Sequence, residues 1–146
     1  MRHHLILRVA TKLLVGTLML FALYVQFHGD FSPGGGFQAG VIMAVAFILY
    51  GIVFSLRDVQ AVFPPWLVHK LAALGVLIYG GTGLISLFSG FNYLDYTALS
   101  SHDPEHGQHL GILFVELGVG ITVTGVMVAV YYAFAARPPR ISDEEW

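Results

Sequence analysis

Four long apolar runs divide the chain, covering about residues 5–28, 36–56, 67–89 and 110–136. Within each run the apolar residues are continuous, and each run reaches the ~20 residues a helix needs to cross ~30 Å of hydrocarbon. A membrane β-barrel would alternate apolar and polar residues instead, so a helix is left as the way to satisfy every backbone group in lipid. The pattern predicts an all-α integral membrane protein: four transmembrane helices in one membrane domain, followed by a short tail over residues 137–146.

The polar residues between the runs set the expected orientation. Arg2, Arg8 and Lys12 precede or open the first run, Arg57 and Lys70 flank the second connection, and Arg137 and Arg140 follow the fourth run. The first and third connections hold no lysine or arginine, so the positive-inside rule places both termini in the cytoplasm. The second connection, from Arg57 to Trp66, reads as a turn stopped by Pro64-Pro65 and anchored by Trp66. Lys70 is expected to snorkel to water or to pair with Asp58. Gly75, Gly80, Gly81 and Gly83 are expected to bend or closely pack the third helix. The third connection, residues 90–108, carries Asp95, Asp103 and Glu105 and makes an acidic outer mouth.

Composition agrees with the pattern. At 56% hydrophobic and 11% charged residues, the 146-residue chain is too apolar for an ordinary soluble domain. It has no cysteine, which excludes disulfides and thiolate metal sites, and its net charge of −2 leaves no nucleic-acid footprint. The start, Met1-Arg2-His3-His4, resembles a secretory signal, but Gln26-Phe27-His28-Gly29-Asp30 after the run lacks a small-x-small cleavage pattern, so an uncleaved anchor is expected.

The chain is organised around Phe31-Ser32-Pro33-Gly34-Gly35-Gly36-Phe37-Gln38-Ala39-Gly40, where the first helix hands over to the second. Ser32 and Pro33 offer cap and first-turn chemistry for the second helix. The three glycines permit a sharp reversal and remove side chains that hold another helix at a distance. Gly36, Gly40 and Ala44 extend a small-xxx-small stripe into the helix. Phe37-Gln38 follow where a phosphate-binding loop would have Lys-Ser/Thr, so that reading fails.

Glu116 is the carboxylate placed well inside a span, where charge is costly and marks either an ion path or a structural hydrogen bond. At 100° per residue, His109, Glu116, Gly120 and Thr124 share one face of the fourth helix, while Gly111, Gly118 and Gly125 lie nearly opposite. The first face offers a carboxylate, a hydroxyl and a gap at Gly120 for water or a hydrated ion, and the second suits helix packing. His28 and Asp30 close the first helix at the level of the glycine turn and of His109, and with them form a candidate outer mouth. His102, His106 and His109 would align on one helix as metal ligands, but Pro104 and Gly107 interrupt it, and no metal site is expected. A haem held by His28 and His109 is disfavoured because both sit close to the interface, so no cofactor is expected. A lone four-helix unit without internal repeats is a poor complete transporter, and its small-residue stripes suggest docking against other membrane subunits.

The Pro33-Gly34-Gly35-Gly36-Phe37-Gln38-Ala39-Gly40 run, the chain length and the later Glu116-Leu117-Gly118-Val119-Gly120 run resemble the MrpB/MnhB family, small subunits of the Mrp-type multisubunit Na⁺/H⁺ antiporters. The resemblance covers nearly the whole chain. It implies a cell-membrane complex of several subunits that exchanges cytoplasmic Na⁺ for external H⁺, in which a subunit of this type helps form the sodium path and hold the assembly together. Carried onto this chain, its motif residues are Pro33, Gly34, Gly35, Gly36, Phe37 and Gly40, with Glu116 in the second motif. The expected role is a transporter subunit and not an enzyme, with other antiporter subunits as partners and Na⁺ and H⁺ as cargo. A purely structural subunit of a complex I-related assembly, including a hydrogenase-linked exchanger, is the alternative.

Overall fold

The computed structural model describes residues 5–29, 35–100 and 103–137. In chain order these form α1 (Leu5–Phe27), α2 (Gly36–Val53), α3 (Leu56–Val62), α4 (Pro65–Phe88), a 3₁₀ turn (Tyr96–Leu99) and α5 (Pro104–Ala135). Helices α1, α2, α4 and α5 are long and apolar enough to cross a bilayer. The expected Ser32 cap and Pro33 lie outside the described residues, and α2 begins at Gly36 with Gly35 in the capping position.

Local chemistry explains the boundaries. Helix α4 ends where Gly90 takes φ +84°, with Gly90 N–H donating to the Leu87 carbonyl and Phe91 N–H to the Ser86 carbonyl, both at 3.1 Å. That pair of bonds satisfies carbonyls the helix end leaves free, and glycine adopts the required left-handed conformation without a Cβ penalty. Helix α5 opens with the Asp103 carboxylate accepting from the N–H groups of Glu105 at 3.1 Å and His106 at 3.3 Å. Pro104 is therefore the first residue of the helix and not an interruption, because its missing N–H falls among donors that have no partner in any case. The fourth span starts at Pro104, earlier than its apolar run, and passes through Gly107 without a break.

The second connection is also more than a turn. Ser55 accepts the Asp58 N–H at 3.1 Å and donates to the Asp58 carboxylate at 2.7 Å, which starts the short helix α3. Val59 and Phe63 from this segment are buried with Ala44, Val68, Val128 and Tyr132 in the main core cluster. The Phe63 ring stacks on Phe47 at 4.4 Å, and the Tyr132 hydroxyl donates to the Phe63 carbonyl at 2.7 Å. Lys70 does not pair with Asp58. Its ammonium lies 5.0 Å from the centre of the Trp66 ring, near the start of α4.

Helix α1 packs on α2, α2 on α5, and α5 on α4. Small residues make the two inner contacts close. A Cβ on Gly75 would meet the Gly118 carbonyl oxygen at 2.5 Å and the Thr122 N at 2.6 Å, and one on Gly125 would meet the Val68 carbonyl oxygen at 2.9 Å. The Thr122 hydroxyl spans the α4–α5 seam, donating to Gly118 O at 2.8 Å with Ala72 O at 3.4 Å. The stripes at Gly36, Gly40 and Ala44, at Gly75, and at Gly118 and Gly125 are therefore consumed within the chain, and do not lie open for other subunits as their sequence pattern suggested. Gly111 packs against the Tyr96 ring of the third connection and not against a second long helix, and Gly83 receives the Tyr93 ring in the same way. Gly80 and Gly81 face open space.

The contrast along α4 predicts two outcomes. Gly75→Ala forces α4 and α5 apart against backbone atoms and should lower stability by about 1–3 kcal/mol, as overpacking does. Gly80→Ala meets nothing within 4 Å and should be neutral or stabilising by about 0.5–1 kcal/mol. Thermal denaturation of the purified protein in detergent distinguishes them.

Candidate functional site

The register of α5 separates its two faces. Gly118, Thr122 and Gly125 meet α4, while Glu116, Gly120 and Thr124 meet α1 and α2. His109 lies on the same α5 helix, nearer its start, and is exposed.

Glu116 is half-buried in a cradle of glycines. Its carboxylate occupies the place a Cβ on Gly29 would take, and its Oε1 lies 2.7 Å from the Cβ position of Gly35. A Cβ on Gly36 would collide with the backbone carbonyl of Glu116 itself. Glycine at 29 and 35 thus makes room for the acid, and glycine at 36 lets the α2 and α5 backbones touch. The cradle joins two helix ends of opposite polarity, the C-terminal end of α1 just before Gly29 and the N-terminal end of α2 at Gly35 and Gly36. Partial negative charge from the first and partial positive charge from the second converge on the carboxylate.

The glycine-rich motif divides by direction. Gly35, Gly36 and Gly40 face the bundle, whereas Phe37, 60% exposed, and Gln38 point outward. His28, half-buried, stacks on Tyr24 at 5.0 Å and directly precedes Gly29. Asp30, Pro33, Gly34 and His102 lie outside the described residues.

One turn inward from Glu116, the gap expected at Gly120 is filled. A Cβ there would lie 2.5 Å from Gln26 Oε1 and 3.1 Å from the Gly36 carbonyl oxygen. A side chain from α1 has entered the space that glycine left. The Thr124 hydroxyl donates to Gly120 O at 2.8 Å, with Gly40 O at 3.2 Å, so it ties α5 to α2 while keeping lone pairs to offer. Among the described residues, no three His, Cys, Asp or Glu side chains gather as a metal site.

Four residues escaped sequence reasoning. Gln26, 6% exposed, reads as the polar end of an apolar run, and only its position on the buried face of α1 reveals it. Gly29 was given no role by the sequence, and its space is occupied by the Glu116 carboxylate. Tyr93 and Tyr96 lie in the third connection, and their rings fill the spaces at Gly83 and Gly111.

Four membrane-capable helices around a partly buried carboxylate define a polytopic membrane protein with an acid inside its helical bundle. Residues 6–129 match the family described as "Domain related to MnhB subunit of Na+/H+ antiporter". The chain is 36% identical over 132 residues to the "Putative antiporter subunit mnhB2" of Staphylococcus haemolyticus (strain JCSC1435), covering 89% of this chain and 93% of that protein. It is 37% identical over 127 residues to the protein of the same name from Staphylococcus aureus (strain Newman), covering 86% of this chain and 89% of that one. The chain belongs to the MnhB family of Na⁺/H⁺ antiporter subunits, and is a transporter component of a multisubunit membrane complex.

The cradle predicts a graded pair of variants. Gly29→Ala meets the tip of the flexible Glu116 side chain, so the acid can move aside and the complex should assemble at near-normal levels on native gels. Gly36→Ala meets backbone and should cost about 1–3 kcal/mol of stability, seen as reduced assembled complex on native gels.

Proposed function

We propose that this subunit carries part of the ion path of an antiporter that exchanges cytoplasmic Na⁺ for external H⁺ across the cell membrane, and that Glu116 is the group on which that path depends. The reading is supported by the glycine cradle, which sets a carboxylate against the ends of α1 and α2 at the cost of three side chains. The carboxylate and the carbonyl end of α1 together offer oxygen ligands for a cation, while the amino end of α2 stabilises the charge when no cation is bound.

Both termini are assigned to the cytoplasm. Arg8 and Lys12 of α1 lie 5.0 and 5.8 Å from the centre of the Phe54 ring at the end of α2, which draws these basic residues to one end of the bundle with Arg57. His28 and Asp30 then belong to the external mouth, with His109 on the helix that carries Glu116. The partners are the other membrane subunits of the antiporter. The exposed apolar face of α1, including Leu13 at 71% and Leu20 at 70%, supplies surface for them or for lipid.

Inverted membrane vesicles carrying the whole complex test the assignment through Na⁺-dependent collapse of ΔpH. Glu116→Gln should abolish exchange while native gels show normal assembly. Normal exchange would make the acid dispensable and leave the subunit a structural one, in an antiporter or in a hydrogenase-linked assembly.

A further inference from the structure

Two cations lie inside the first span. Arg8 and Lys12 are one turn apart on α1, and Lys12 sits about 10 Å along the helix from Leu5 at 1.5 Å per residue. Charge at such a depth calls for a partner or a route to water. Both side chains turn to one ring: the Arg8 guanidinium carbon lies 5.0 Å, and the Lys12 ammonium 5.8 Å, from the centre of Phe54. Among the described residues neither cation has an ion-pair partner. Asp58, which lies at this end of the bundle, is held by the Ser55 hydroxyl at 2.7 Å. Lys70 and Arg137 also lie over rings, Trp66 and Phe134, but each is a single cation over a ring close to it in sequence. Arg8 and Lys12 form a pair that reaches across from one helix to another.

The ring beneath them is held in place. Phe54 caps the carboxyl end of α2 and stacks on Tyr50 at 4.6 Å. The carbonyl end of a helix carries roughly half a negative charge, which balances only part of two full positive ones. A cation over a ring face keeps its N–H donors at its edge, where one phosphate accepts from guanidinium and ammonium together. Beyond the pair, α1 presents exposed apolar surface through Leu13, Leu14 and Leu20. A cation pair that runs directly into bare apolar surface matches an amphiphile with an anionic head and hydrocarbon chains, whereas an acidic protein segment would match the pair alone.

We propose that Arg8 and Lys12, set over Phe54, hold the phosphate of an anionic phospholipid whose chains lie along the exposed face of α1. The site stands at the far end of α1 from the Glu116 cradle, and it does not depend on the ion-path reading of that acid.

A photoreactive benzophenone side chain identifies the occupant by mass. In the intact complex, reconstituted in vesicles of equal parts phosphatidylglycerol and phosphatidylcholine, Leu5→p-benzoylphenylalanine places the probe one turn from Arg8. Phe88→p-benzoylphenylalanine places it on the exposed end of α4, at the opposite end of the bundle. After irradiation this chain is resolved on a denaturing gel and its lipid adducts are identified by mass spectrometry. The ratio of phosphatidylglycerol to phosphatidylcholine adducts at position 5 should exceed that at 88 by at least about fivefold, the scale of one cation at an anionic surface. Arg8→Gln with Lys12→Gln should bring the two ratios together, and Arg8→Lys with Lys12→Arg should keep them apart, with native gels showing assembled complex. Excess inorganic phosphate should leave the difference unchanged. Equal ratios at 5 and 88 with the native cations would overturn the proposal, and that comparison needs no charge variant to fold. A preference that survives the double glutamine variant would overturn the role of the two cations. A crosslink at position 5 to a protein segment in place of lipid would overturn the proposal in favour of a protein partner, and loss of the preference in free phosphate would overturn it in favour of a small-anion site.

Discussion

The structure depends on one close approach, that of the α2 and α5 backbones at Gly36 and Gly40 against Glu116 and Gly120. A Cβ on Gly36 would strike the Glu116 carbonyl, and one on Gly40 would lie 2.6 Å from the Gly120 carbonyl oxygen. Without hydrophobic drive between helices in lipid, such contact rests on dispersion between backbones and on hydrogen bonds like that of Thr124. It also fixes the depth of Glu116. Once these glycines are in contact, the acid must sit at the start of α2, and Gly29 and Gly35 must be bare to admit it. Helix contact and the placement of the carboxylate are coupled at the same residues.

The second seam, between α4 and α5, is built alike but carries no acid. Gly75, Gly118 and Gly125 bring those backbones together, and the Thr122 hydroxyl bonds across them as Thr124 does on the other side. Helix α5 is thus a central post with threonines on two faces, one face structural and the other facing the candidate ion path. One end of the bundle is locked by α3 and Tyr132, and the opposite end is covered by the Tyr93 and Tyr96 rings.

Much of this was legible in the sequence because membrane helices announce themselves by length and continuity. The four spans follow from the apolar runs, the two faces of α5 from a 100° period, and the close packing at Gly36 and Gly40 from their four-residue spacing. What escaped did so for physical reasons. A small-residue stripe states that something comes close without stating what, so the stripes read as docking surfaces for other subunits turned out to be satisfied within the chain. Pro104 read as a breaker because its role depends on the Asp103 cap before it. Gln26 stood in a polar cluster at the end of a run, and only the fold reveals that it turns inward to occupy the space beside Gly120.

If the cradled carboxylate itself exchanges a proton for a cation, Na⁺-induced difference infrared spectroscopy on the purified intact complex should detect the event at the acid. A carboxyl band should change when Na⁺ replaces H⁺, and should disappear in Glu116→Gln with the complex still assembled. A carboxyl difference band identical in the native and substituted complexes would contradict that role, and would place the exchanging acid in another subunit.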